Sequence, residues 1–96
     1  MSDDAAKRYQ LKVALELREF DGESVAYCDL TGDTIRLAPL SRAVIDHLSQ
    51  QSADMNELCG ALASRFGAAL DTSFSELVEG AVEDLRVFGI IKANPI

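Results

Sequence analysis

Apolar and polar residues alternate over residues 11–17, where Leu11, Val13, Leu15 and Leu17 are separated by Lys12, Ala14 and Glu16. A period of two is that of a strand with one buried face, because successive side chains leave the backbone on opposite sides. Asp21-Gly22 supplies a turn signal, and an extended pattern with Val25 and Tyr27 resumes over residues 24–30. Thr31-Gly32-Asp33 marks a second turn, after which Thr34, Ile35, Arg36 and Leu37 alternate until Pro39 stops the extended run. Three strands in this order predict an antiparallel meander. Its middle strand is paired on both sides, and its outer strands each keep an edge of unpaired N–H and C=O groups. Ile35 is expected among the edge donors of the third strand.

Beyond Pro39, which suits the first turn of a helix, the period changes. Leu40, Ala43, Val44, His47 and Leu48 fall at helical spacing through about residue 50. Asp54 with Glu57 three residues on reads as an N-cap, followed by Met55, Leu58, Cys59, Leu62, Ala63 and Phe66 and closed by Gly67. After a loop over residues 68–72, Ser73 and Glu76 form a capping-box pair ahead of a third helix that stops at Gly89. Its apolar arc has two stripes, Phe74, Val78, Val82 and Leu85 in one and Leu77, Ala81 and Phe88 in the next, so it can serve two surfaces. Gly80, in the middle of this helix, costs about 1 kcal/mol relative to alanine and leaves two readings open, close approach of another backbone or no packing role. The expected fold is α+β, a three-stranded antiparallel meander followed by three helices. One domain covers residues 11–92, with residues 1–10 and 93–96 frayed.

With 96 residues and 48% hydrophobic side chains, the chain supports one small core. Its 16 acidic and 9 basic residues, a net charge of -7, repel a phosphate backbone and argue against nucleic acid. The first ten residues hold no apolar run, which excludes a signal peptide or span there and predicts a cytoplasmic protein with no membrane partner. Cys28 and Cys59 have no close-spaced partner and read as reduced core thiols. His47, the single histidine, neighbours Asp46, but adjacent helical residues diverge, so no catalytic dyad is implied. No glycine lies in a phosphate-cradling pattern. Glu76, Glu79, Glu83 and Asp84 spread around the third helix as a solvated acidic face. No cofactor, metal or catalytic set is expected, and the chain reads as a binding protein.

Several stretches resemble the PqqD family of peptide chaperones and recognition elements, and within it the HPr-related group. They are Thr31-Gly32-Asp33-Thr34 and Leu37-Ala38-Pro39-Leu40-Ser41 at the strand-to-helix junction, Ala43-Val44-Ile45-Asp46-His47-Leu48, the helix over residues 58–66, and the closing Leu85-Arg86-Val87-Phe88-Gly89-Ile90-Ile91. The likeness spans roughly residues 13–92 and is mostly a hydrophobic pattern. It implies a winged-helix-like fold that captures a precursor's leader peptide as an added strand beside the third strand. The partners it implies are that precursor peptide and a modifying enzyme or an HPr-kinase-related protein. The residues reach a compatible site unaided. The edge at Thr34, Ile35, Arg36 and Leu37 offers main-chain hydrogen bonds, Leu77, Ala81 and Phe88 floor an apolar groove beside Asp84, and Arg36 either orients an acidic peptide side chain or is an ordinary surface residue.

Two other roles fit the same fold. A winged helix can act as a DNA-binding regulator, although the third helix sets Glu76, Glu79, Glu83 and Asp84 against Arg86 alone. A structural subunit of a larger complex would fill the groove with a partner or with a second copy, so both monomer and homodimer are open.

Overall fold

A computed structural model describes residues 7–12, 15–28 and 32–95. Its strands are β1 (Lys7–Leu11), β2 (Leu15–Phe20), β3 (Glu23–Cys28), β4 (Thr34–Leu37) and β5 (Ile91–Pro95). Its helices, α1 (Pro39–Gln50), α2 (Met55–Phe66) and α3 (Thr72–Val87), lie between β4 and β5. The architecture is α+β, with the expected antiparallel meander in the order β2-β3-β4 followed by three helices. Asp21 and Gly22 join β2 to β3 with φ of 51° and 81°, a two-residue turn whose twist matches the strands it connects.

A second sheet departs from the expectation. β1 pairs antiparallel with β5, Lys7 opposite Pro95 and Leu11 opposite Ile91, so residues 7–10 and 93–95 are strands and not frayed ends. The expected first strand divides accordingly. Leu11 ends β1 and Leu15 begins β2, while Val13 and Ala14 lie outside the described residues. The reason is tertiary: Tyr9 is the one large apolar residue over positions 7–10, yet it is 8% exposed, and its backbone is bonded away from β5. Tyr9 N–H donates to Ala53 C=O at 2.7 Å, and Ala53 N–H donates to Tyr9 C=O at 3.1 Å. Arg8 fastens the same strand by donating to the Ser52 carbonyl at 2.8 Å and to Glu57 at 2.9 Å.

Helix boundaries follow their caps. Asp54 accepts from Glu57 N–H at 2.8 Å at the start of α2, and Gly67 closes that helix with φ of 64°, a left-handed cap open to glycine. For α3 the cap is Asp71, which accepts from Phe74 N–H at 2.9 Å, in place of the expected Ser73. A carboxylate two residues upstream reaches the same kind of orphan N–H and adds a favourable charge at the helix start. Ala43, Val44, Ile45 and Leu48 of α1, Leu58 and Leu62 of α2, and Val78, Val82 and Leu85 of α3 form the core with Ala26, Leu37, Ile90 and Ile91.

Candidate functional site

In β4 the alternation continues into burial. Leu37 is buried, Ile35 is half-buried against the core, and Thr34 and Arg36 are exposed. β4 ends the sheet order, so its outer edge has no strand partner among the described residues. Which groups face outward follows from the register. Cys28 N–H donates to Asp33 C=O at 3.0 Å, making 28 and 33 a hydrogen-bonded pair. The unbroken register then places Ala26 with Ile35 and Ser24 with Leu37 in the same class, because such pairs alternate along an antiparallel ladder. Thr34 and Arg36 therefore turn their N–H and C=O groups outward. Ile35 points its own toward β3, which corrects its expected place among the edge donors.

Immediately after β4 the chain forms the wall of a groove of about 660 Å³. Pro39 and Leu40 line it from α1, Phe66 from the end of α2, and Phe74, Leu77 and Ala81 from α3. Leu77 is 62% exposed and Phe66 45% exposed, whereas Ala81 at 8% is floor. Gly80 also lines the groove, and a Cβ built on it meets nothing within 4 Å. No other backbone among the described residues approaches it closely, and the missing side chain leaves the groove open. Glu76 and Asp84 supply its charge.

Leu77, Ala81 and Asp84 of the expected site come together in this groove, and Phe88 does not. Phe88 follows the last turn of α3 and stands 62% exposed, outside the groove lining. Thr34, Ile35, Arg36 and Leu37 also lie outside it, but Arg36 and Leu37 line a neighbouring depression of about 500 Å³ that shares Ala38, Pro39 and Phe66 with the groove. The edge and the groove are thus consecutive. Arg36 carries an exposed ion pair with Glu23 at 3.6 Å. Pro39, Phe66, Phe74 and Gly80 were not expected in the site. The available signal was an aromatic, Phe66, set directly before the Gly67 cap, where a helical stripe runs out of core to cover.

The remaining reactive side chains are dispersed. Asp46 turns away from His47 and accepts from Arg42 at 3.1 Å and Arg65 at 3.2 Å, tying α1 to α2. The Nε2 atom of His47 is buried with no hydrogen-bond partner among the described residues. Cys28 and Cys59 are buried and form no disulfide. Burial pushes the Cys59 thiol up, a hydrogen bond with Ser75 opposes this, and the nearby Glu79 charge adds to it. Among the described residues no group of three or more His, Cys, Asp or Glu side chains gathers as a metal site, and no helix is long and apolar enough to cross a membrane.

Comparison with models of known protein families, with curated proteins and with solved structures finds no match for this chain.

Proposed function

We propose that this chain is a non-catalytic, cytoplasmic peptide-binding module that holds a precursor's leader peptide and presents it to a partner modifying enzyme. The observation that carries the reading is the exposed Leu77 and Phe66 pair in an apolar groove adjoining an unpartnered strand edge. An added strand would bond to the outward N–H and C=O groups of Thr34 and Arg36, and an apolar side chain beyond it would enter the groove. Main-chain bonds supply affinity without sequence preference, and the groove supplies the preference. Completing the burial of a large apolar side chain stabilises by about 1.5–3 kcal/mol. Glu76 and Asp84 at the groove favour a peptide with a basic residue beside its apolar anchor, whereas Arg36, paired with Glu23, is a weak anchor for an acidic one. The resemblance to the PqqD family points to the same use of strand and helix.

The test is an amide-resolved NMR titration of the intact chain with leader segments of short precursor peptides encoded beside it. The expected result is saturable shifts at Thr34, Arg36, Leu77, Gly80 and Ala81. Saturable binding that leaves all five unmoved would refute the site, and no binding by any such segment would refute the function.

A further inference from the structure

The distribution of cations on this acidic chain is uneven. Each of its six arginines is ion-paired with a carboxylate: Arg8 with Glu57, Arg18 with Glu16, Arg36 with Glu23, Arg42 and Arg65 with Asp46, and Arg86 with Glu83. Its three lysines, Lys7, Lys12 and Lys92, line one groove of about 620 Å³ between the β1–β5 sheet and the last turns of α3. Lys12 and Lys92 are exposed and make no ion pair with any described residue. Arg86 lines the same groove, and among the described residues Glu83 is the single carboxylate in the lining. The Arg86 guanidinium already grips that carboxylate at both oxygens, at 3.0 Å and 2.6 Å. The groove therefore concentrates positive charge on a chain whose net charge is -7, a pattern that solubility alone does not require.

We propose that this groove is a binding site for a phosphorylated small molecule. Ammonium groups on flexible stems act as compact point charges that suit the multiply charged oxygens of a phosphoryl group, which an arginine fork beside them can also engage. The one fork here is occupied by Glu83. Arg86, chiefly through its hydrogen bond, and Lys7 both hold the Glu83 carboxyl below its ordinary value. The site shares no lining residue with the apolar groove, so it stands or falls separately from peptide binding.

The test titrates the intact labelled chain with inorganic pyrophosphate at physiological ionic strength, where charges are screened over about 8 Å, with citrate, duplex DNA and anionic phospholipid vesicles in parallel. Expected are saturable shifts at Lys12, Glu83, Arg86 and Lys92 with pyrophosphate, weaker ones with citrate, and about a tenfold loss of affinity in the Lys12→Gln, Lys92→Gln double variant. Both positions are exposed, so the variant keeps its fold. Arg18→Gln, elsewhere on the surface, leaves binding unchanged, and Glu83→Gln tightens it by freeing Arg86. Absence of saturable shifts, citrate binding as tight as pyrophosphate, or an unaffected double variant would overturn the proposal. Tighter engagement of the same residues by duplex or vesicles would overturn it too, assigning the groove to a macromolecular surface.

Discussion

Asp46 accepts from Arg42, one turn back on its own helix, at 3.1 Å, and both side chains are under one third exposed. The second Asp46 oxygen takes Arg65 from α2 at 3.2 Å, while Arg42 donates to Ser24 Oγ of β3 at 3.2 Å. One carboxylate thus links two helices and, through Arg42, the meander. Replacing it leaves two guanidinium groups short of their acceptor. Asp46→Ala is expected to lower stability by about 1–2 kcal/mol, read from the urea midpoint, a larger loss than an isolated surface pair gives.

Gly80 allows the groove to be closed without touching the core. Since nothing lies within 4 Å of a Cβ there, Gly80→Ala should raise stability by up to about 1 kcal/mol through helix propensity. Gly80→Phe should keep the melting transition cooperative and abolish peptide-induced shifts at Leu77 and Ala81. Peptide binding by Gly80→Phe at unchanged affinity would take the groove out of the mechanism.

Hydrogen exchange resolves the orientation of β4. Ile35 and Leu37 bond toward β3 and should show protected amides, while Thr34 and Arg36 face outward and should exchange rapidly in the free protein. Peptide addition should slow the Thr34 and Arg36 amides selectively. Protection of all four in the free chain would mean that something already covers this edge.

The Glu83 carboxyl titrates below its ordinary value because of the Arg86 hydrogen bond. Its folded value is lowered relative to the unfolded chain, so its contribution to stability is present above the unfolded value and is lost as pH falls through the folded one. Arg86→Gln should move the carbon-detected titration midpoint of Glu83 upward, with Lys7 retaining part of the depression.

For Cys59 the sign is opposite. Burial raises its folded value, so stability is full below the ordinary thiol range and falls as pH climbs through that range toward the folded value. Cys59→Ala should flatten this alkaline loss, and Cys59 should react with a thiol reagent far more slowly in the native protein than after unfolding.

Much of this arrangement was legible in local sequence, and what was not has a common cause. The meander, the helical order and the Asp54 and Gly67 caps depend on residues a few positions apart, where period and turn chemistry speak directly. β1 did not show itself because residues 7–10 form a strand only in the presence of Ala53 on one side and residues 92–95 on the other. The site divides the same way. Leu77, Ala81 and Asp84 follow from spacing on one helix, but Pro39, Phe66 and Gly80 join them only through the packing of α1, α2 and α3, which no window of a few residues contains. Phe88 failed for a related reason: its backbone is still helical, with its N–H on the Asp84 carbonyl at 3.0 Å, but it stands one turn beyond Asp84, where the groove lining on α3 ends.

The pairing of β1 with β5 also orders assembly in time. During synthesis Lys7 leaves the ribosome long before Pro95, its partner in the register. The meander, α1, α2 and α3 hold contacts of shorter span and can gather first, whereas this sheet closes the longest loop in the chain and must wait for its last strand. β1 is held earlier by its bonds to Ala53 and Glu57, so its pairing with β5 completes an attachment that the middle of the chain has already begun.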